Sequence, residues 1–261
     1  MRYAFLSDIH ANLPALEAVL EDLERRRSDM VYCLGDLVGY APWPNEVVSA
    51  IRSRGIPTIA GNYDEGVGLD SADCGCAYRS EEDRALGDQS IAYTNRTVIE
   101  ETRVYLRTLP RHLRMTLAMP RAAGMTPSDV LMVHGSPRRI NEYLYEDRPE
   151  RSFLRMMEDA GADVMLFGHT HKSFHRVLRY EVDGKERARH AINIGSIGKP
   201  KDGDPRACYA VVEIVMGAEG VGPGSLRVEF VRVPYDVERA ARAIEASPLP
   251  DAFADQLRRA Y

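Results

Sequence analysis

The stretch Ser7-Asp8-Ile9-His10-Ala11-Asn12 decides how this chain is organised. It follows a short apolar run, residues 3–6, that is typical of a buried β-strand. It precedes a predicted helix, for which Asn12 is a suitable N-cap. We therefore expect Asp8 and His10 at the carboxyl end of a strand, where open α/β sheets bind their ligands. The two side chains can face one metal ion from such a turn, although capping or a loop role would explain either residue alone.

Four further predicted strands end in residues of the same kind. The apolar runs lie at 30–34, 58–60, 129–133 and 164–167, and the polar residues that follow them are Asp36, Asn62, His134, His169 and His171. Helix-like segments alternate with the early runs, which predicts a layered α/β sheet with short connections. Four of the seven histidines fall in these motifs, so a shared role explains them better than separate packing roles would.

Carboxylate and imidazole side chains together are ligands for Mn, Fe, Zn or Ni, and the motifs contain no thiolate that would narrow the choice. Two such metals, about 4 Å apart, hold the attacking and leaving oxygens of a phosphoryl displacement and bring the pKa of a bridging water towards neutrality. A carboxylate is needed to bridge them, and Asp36 lies in the middle of the set. Asn62 can offer its carbonyl oxygen to a metal while its amide group points at a phosphate oxygen.

The rest of the chain is predicted as part of one domain, 1–261. The region 66–127 departs from the sheet pattern and is predicted as a helical insertion or lid beside the site, ending in a strand near 111–118. The tail, 236–261, is predicted as two short helices, and Asp183-Gly184 as a hairpin turn. Further strands are predicted at 174–180, 188–194, 208–215 and 226–233.

The composition excludes some classes of partner. The net charge is −5 with both signs mixed, which gives no basic field for nucleic acid. No run of 18 apolar residues and no leader segment is visible, so we expect a soluble cytoplasmic protein without a membrane partner.

Its four cysteines are then reduced thiols. Cys74-Gly75-Cys76 is one residue short of a zinc knuckle and has no second pair, so a metal role there is the minor alternative.

Taken in order, the motifs resemble those of the calcineurin-like metallophosphoesterases. They are Asp-x-His, Gly-Asp, Gly-Asn-x-Asp, His-Gly and Gly-His-Thr-His, and they span residues 8–171. The segment 193–196, Asn-Ile-Gly-Ser, is similar to one that follows in small bacterial members. The resemblance implies an α/β fold, a four-layer α/β/β/α sandwich of two mixed sheets flanked by helices. It also implies a dinuclear phosphoesterase that attacks with a metal-bridging hydroxide.

The resemblance also assigns the site residues. The first metal would take Asp8, His10, Asp36 and His171, and the second would take Asp36, Asn62, His134 and His169. Asp64 would orient a neighbouring ligand. Asn12 and Gly195 would lie near the mouth of the site, where Gly195 amides could hold phosphate. A helix cap for Asn12 and a simple turn for Gly195 are the alternatives.

The chain departs from the family pattern at Tyr63, where many members have a histidine that protonates the leaving group. A phenol has an ordinary pKa near 10, so Tyr63 can be a weaker acid, a substrate contact or a packing residue. No arginine follows Gly35-Asp36, which argues against a phosphoprotein phosphatase. Tyr40 and Trp43 are candidate walls for a base, with ordinary packing as the alternative.

The sequence therefore predicts a phosphodiesterase with two divalent or mixed-valence metal ions and catalytic Asn62 and His134. Its substrate would be a small phosphate ester, nucleotides included, and Arg138 would contact the phosphate unless it is only a surface residue. The alternatives are a phosphomonoesterase or a non-catalytic scaffold of the same fold. The oligomeric state stays open, homo-oligomers included.

Overall fold

Two β-sheets lie face to face, with helices on their outer faces. The computed structural model describes residues 1–78, 80–117, 127–182, 184–215 and 221–261. The strands are β1 (Arg2–Leu6), β2 (Met30–Cys33), β3 (His112–Leu117), β4 (Ser128–Val133), β5 (Val164–Phe167), β6 (Phe174–Val182), β7 (Lys185–Asn193), β8 (Ala207–Ile214) and β9 (Leu226–Val233). The helices are α1 (Leu13–Arg26), α2 (Pro44–Ser53), α3 (Asn62–Gly68), α4 (Glu81–Thr97), α5 (Glu100–Thr108), α6 (Glu150–Asp159), α7 (Val237–Glu245) and α8 (Ala252–Arg259).

Both sheets are mixed. The first has the order β2-β1-β8-β9, in which only β1 and β2 are parallel. The second has the order β3-β4-β5-β7-β6, with parallel strands β4, β5 and β7 at its centre and antiparallel strands at its edges. The carboxyl ends of β1 and β2 therefore share one edge of the first sheet, and those of β4, β5 and β7 share one edge of the second.

Alternation along the strands divides the core into layers. On β1, Tyr3 and Phe5 belong to the cluster between the sheets, whereas Ala4 and Leu6 pack in the cluster that contains α1 and α2. A third cluster joins the outer face of the second sheet to α6 through Phe153. This is the predicted four-layer sandwich of two mixed sheets flanked by helices.

The third predicted strand, 58–60, is wrong. Thr58 makes only an isolated bridge to Cys33, and Ala60 donates its amide to Pro110 O. Helix α3 begins two residues later, at Asn62, so the chain turns away before a ladder forms.

The region 66–127 is helical only in part. It contains α4 and α5 but also β3, which pairs with β4 along the edge of the second sheet. Residues 118–126, with the end of the predicted strand, lie outside the described residues, as do Asp183 of the predicted hairpin turn and residues 216–220.

The two predicted tail helices are confirmed as α7 and α8. Their apolar faces, with Phe253 and Leu257, pack on Ala11 and Ala41 from the loops after β1 and β2. No helix among the described residues is long and apolar enough to span a bilayer.

Candidate metal centre

Two groups of buried metal-binding side chains lie at the carboxyl ends of the strands. The first consists of Asp8, His10 and His171, and the second of Asp36, His134 and His169. Within each group the ligand atoms lie within 4.8 Å of one another. The structure thus contains two candidate metal sites, and each combines residues from both sheets.

Backbone hydrogen bonds hold the ligand-bearing loops together. The amide of Asp8 donates to Gly35 O (2.9 Å) and that of His10 to Asp36 O (2.9 Å), which ties the loops after β1 and β2. The amide of His169 donates to Asp8 Oδ2 (3.0 Å), which ties the loop after β5 to the first sheet. Five ligands have left-handed backbone, which costs free energy for residues other than glycine and is typical of functional sites. They are Asp8, His10, Asp36, His169 and His171.

Three histidines are oriented by backbone carbonyls. The Nδ1–H groups of His10, His134 and His171 can donate to the carbonyl oxygens of other loops, at 3.0, 2.8 and 2.5 Å. The acceptors are Val38, Leu34 and Lys199. This arrangement directs each Nδ1 at a carbonyl and turns each Nε2 towards the centre, as in metal-binding histidines.

Several buried polar atoms of the centre are of the kind that binds cations. Asp8 Oδ1 and His169 Nε2 are buried without a hydrogen-bond partner among the described residues. His10 Nε2 lies 3.2 Å from His171 Nε2. In both rings the Nδ1 atom is the one that faces a carbonyl oxygen, so the two Nε2 atoms have no proton to share in a hydrogen bond. Buried polar atoms without partners are costly, and metal ions at these positions would satisfy them. The residues present therefore fit divalent metals.

Electrostatics favours the ligand-competent form of four side chains and the protonated form of His134. Burial would lower the pKa of His134, but the Asp36 carboxylate beside it raises that pKa to about 10, so a metal at this position would displace a proton from the ring. Burial lowers the pKa of His169 and His171 to about 3, so both are neutral at pH 7. Burial alone would raise the pKa of Asp8 and Asp36, but His171 and His134 respectively lower it, so both carboxyls are ionised. Carboxylate and neutral imidazole are the forms that bind metals.

Asp36 lies between the two groups. Its Oδ2 is 3.5 Å from His10 Nε2 and 3.3 Å from His134 Nε2. Its Oδ1 accepts the amide of Tyr63 (2.9 Å), which holds the carboxylate in place. The position is that of a ligand able to reach both candidate metal sites.

Asn62 joins the second group through its carbonyl, since its Oδ1 lies 3.2 Å from His134 Nε2. Its amide group, which the sequence analysis directs at a phosphate oxygen, makes hydrogen bonds within the protein in this structure. The Nδ2 donates to Cys74 O (3.0 Å) and Cys76 Sγ (3.2 Å). The Cys-x-Cys loop thus orients Asn62, and neither cysteine joins a ligand group of the described residues.

Asp64 supports the site from behind. Its two oxygens accept the amides of Leu37 and Gly61, both at 2.9 Å, so it links the loop after β2 to the start of α3. Burial and then Asp36 raise the pKa of Asp64 to about 7. It orients the backbone around Asp36.

Two predicted phosphate contacts make hydrogen bonds within the protein. Asn12 accepts the amide of Ala15 (3.2 Å) and donates to Gly198 O (2.9 Å), so the helix-cap alternative describes it. The Gly195 amide donates to Asn193 Oδ1 (3.0 Å), so the turn alternative describes that residue.

Of three further residues predicted as possible substrate contacts, Tyr63 packs against the centre and the other two lie apart from it. Tyr63 is buried, with its ring against His10 and Tyr40, and burial raises its pKa well above the ordinary value. Arg138 pairs with Glu142 and lines a different cavity. Trp43 packs in the cluster of the tail helices, because α2 begins directly after it.

Sequence reasoning missed several residues around the centre. The Tyr143 ring lies 4.0 Å from that of His169. Lys199 is 5% exposed, and its carbonyl oxygen accepts the hydrogen bond of His171. Asn193 donates to Gly168 O (2.8 Å) and Thr170 Oγ1 (2.9 Å) and so shapes the histidine loop. The Asn-x-Gly-Ser motif could have indicated Asn193, whereas nothing local to Tyr143 or Lys199 does.

Comparison with known proteins agrees with this geometry. A sequence profile of the calcineurin-like phosphoesterase superfamily domain matches residues 1–217. An uncharacterized protein of Methanocaldococcus jannaschii is 31% identical over 266 residues, which cover 97% of this chain and 96% of that protein.

Two solved structures are similar over the whole chain. A metallophosphoesterase from Sphaerobacter thermophilus is 28% identical with a TM-score of 0.70, covering 100% of this chain and 99% of its own. A hypothetical protein from Pyrococcus horikoshii OT3 shares the fold at 23% identity and a TM-score of 0.76, with 100% and 98% covered. The chain belongs to the calcineurin-like phosphoesterase superfamily.

Proposed function

We propose that this protein is a two-metal phosphodiesterase acting on a small phosphate ester. The observation that carries the proposal is the position of Asp36 Oδ2, within 3.5 Å of one ligand group and 3.3 Å of the other. A single carboxylate between two sets of imidazole nitrogens suits a pair of metals that share one ligand. The hydrolase class follows from the family to which the chain belongs.

In this proposal the first ion is held by Asp8, His10, His171 and Asp36. The second ion is held by Asp36, Asn62, His134 and His169. When bound, two ions of Mn, Fe, Zn or Ni supply hydroxide at neutral pH and neutralise charge on the phosphate. Hydrolysis joins the water oxygen to phosphorus and breaks the bond to the ester oxygen, which leaves as the alcohol or phenol.

Hydrogen bonds within the protein orient the ligand side chains of this site before any substrate binds. The carbonyls of Val38, Leu34 and Lys199 orient the three imidazoles. The Cys74 carbonyl and Cys76 thiol orient Asn62. Preorganised ligands need no rearrangement when the ester binds. The residues directly after Asp36, Leu37 and Val38, are fully buried and apolar, so no side-chain cation follows the Gly-Asp motif. This supports a diester over a phosphoprotein substrate.

The test compares an aryl phosphodiester with the matching aryl phosphomonoester after chelation and reloading with each metal. We expect metal-dependent turnover that favours the diester. Asp36→Asn and His134→Ala should each lower kcat/KM more than about 100-fold, beyond the usual effect of removing a residue that only orients a ligand. The exposed Asp159→Asn and His112→Ala are the matched controls and should keep wild-type activity.

Other outcomes would overturn parts of the proposal. A preference for the monoester would replace the diesterase with a phosphomonoesterase. Metal-dependent turnover that survives in Asp36→Asn would remove the shared-ligand site. Absence of turnover with two metals bound would favour a non-catalytic scaffold.

A further inference from the structure

A cavity of about 380 Å³ opens beside the candidate metal centre. Thr170, between two ligand histidines, lines it, and so does Cys76, which contacts Asn62. The Tyr143 ring in its wall lies 4.0 Å from the His169 ring. A substrate whose phosphate reached the metals would therefore extend into this cavity.

The cavity is rich in ammonium groups. Lys172, Lys199 and Lys201 line it, and Asp83 is the one acidic side chain among the described lining residues. Lys172 is exposed next to His171, and no carboxylate pairs with it in the described part of the chain. Lysine side chains thus outnumber acidic side chains among the described lining residues.

Lys199 is the more informative of these lysines. It is only 5% exposed, and its Nζ lies against the faces of Tyr40 (4.8 Å) and Phe253 (5.5 Å) and donates to the neutral Gln256 Oε1. Burying an ammonium without an anion is costly. An anionic ligand group in the cavity would provide the missing counter-charge.

Aromatic rings form another part of the wall. Tyr143 and Tyr145 stack at 5.9 Å with an angle of 15° between their planes, and Tyr78 also lines the cavity. Flat side chains of this kind bind nucleobases by stacking. The cavity therefore combines a surface for a flat ring with a place for an anion.

We propose, building on the phosphodiesterase function, that the substrate is a nucleotide diester carrying a second phosphate besides the one that is hydrolysed. The metals take the scissile phosphate. Lys172 and Lys199 take the second phosphate, and the Tyr143–Tyr145 pair takes the base.

The test uses two matched substrates: the p-nitrophenyl ester of thymidine 5′-phosphate, and the same ester with an additional 3′-phosphate. In each, water adds to phosphorus and p-nitrophenolate leaves. We expect the 3′-phosphorylated ester to have a kcat/KM about tenfold higher, the effect of one charge-assisted contact. Lys172→Ala and Lys199→Met should each bring this ratio towards one. The exposed Arg155→Ala, on α6, is the control and should keep the ratio.

Binding provides a readout that does not depend on turnover. Calorimetry with the metal-loaded protein should give a Kd for thymidine 3′,5′-bisphosphate about tenfold below that for thymidine 5′-phosphate, and Lys172→Ala should remove the difference. Equal kcat/KM or Kd values for the two compounds in the wild type, or ratios unchanged in both lysine variants, would overturn the inference. Failure to hydrolyse either ester, with the binding difference intact, would instead count against the phosphodiesterase function alone.

Discussion

Tyr63 occupies the position at which many family members have the proton-donating histidine, yet its surroundings are those of a packing residue. The ring is 1% exposed and its hydroxyl is buried without a hydrogen-bond partner among the described residues. A Cβ on Gly39 would lie 2.4 Å from the Tyr63 ring, so the loop after β2 lies directly on it. A phenol whose pKa is raised by burial is also a poor acid at neutral pH.

We therefore predict that Tyr63→Phe retains activity. The kcat for a metal-dependent diester should stay within about threefold of the wild type, because the hydroxyl donates no proton to the leaving group; a lost general acid would cost 10² or more. Thermal stability should be equal or higher, since an unpaired buried hydroxyl is removed. The measurement is kcat of both proteins on two diesters, one with a poor leaving group and one with p-nitrophenol as the leaving group. A large loss confined to the poor leaving group would make Tyr63 the acid.

At the scale of elements, the ligand loops come together only where glycine allows it. A Cβ on Gly61 would lie 2.1 Å from Asp36 Oδ1, and one on Gly35 would lie 2.2 Å from the Gly61 amide nitrogen. Gly35 also has φ +90°, which side chains rarely adopt. The glycines before Asp36 and Asn62 thus permit the contact between the ends of β2 and the start of α3.

Away from the metal centre, His175 on β6 and His190 on β7 form a hydrogen bond that affects stability. His190 Nε2 is 2.9 Å from Gly222 O, so it is the donor there and its Nδ1 accepts from His175 Nε2 (2.9 Å). Both rings are therefore neutral in the folded state. Burial, and then the neighbouring His190, lower the pKa of His175 to about 4.

This contact predicts a loss of stability in acid. An unfolded histidine titrates near pH 6.5, so below that pH the unfolded state binds more protons than the folded state. The contribution of His175 is complete above pH 6.5 and is lost as the pH falls towards 4. Melting temperatures between pH 7.5 and 4.5 should decline less steeply in His175→Asn than in the wild type. Exposed His112→Asn is the control, and equal slopes in all three proteins would contradict the prediction.

For the whole molecule, the metals are expected to stabilise the fold as well as the site. The two ligand groups draw on loops from both sheets, so bound ions would join the halves of the sandwich. A ligand that binds only the folded state at 100 times its Kd adds about 2.7 kcal/mol.

Chelation should accordingly lower the melting temperature by at least about 5 °C, given a few degrees per kcal/mol in a chain of this size. Adding the metal back should restore it. Asp36→Asn should show a smaller difference between the loaded and chelated states, whereas Asp159→Asn should show the full one. Equal melting curves with and without chelator would contradict a structural contribution of the metals.

The sequence by itself determined the layered fold and which residues can be ligands. Apolar runs ending in Asp8, Asp36, His134 and His169 are local patterns, and the burial of those runs forces the polar residues that follow to one edge of each sheet. Helix boundaries with clear caps, such as Asn12, were equally local.

Only the tertiary structure decided which ligands face each other and what surrounds them. The Asn62 amide is taken by Cys74 and Cys76, twelve and fourteen residues away, and Arg138 is taken by Glu142. Lys199 and Tyr143 reach the cavity from loops that no local pattern relates to it. Hydrogen-bond partners and burial depend on chain segments that packing brings together from distant parts of the sequence. A local motif identifies a side chain but contains no information about these neighbours.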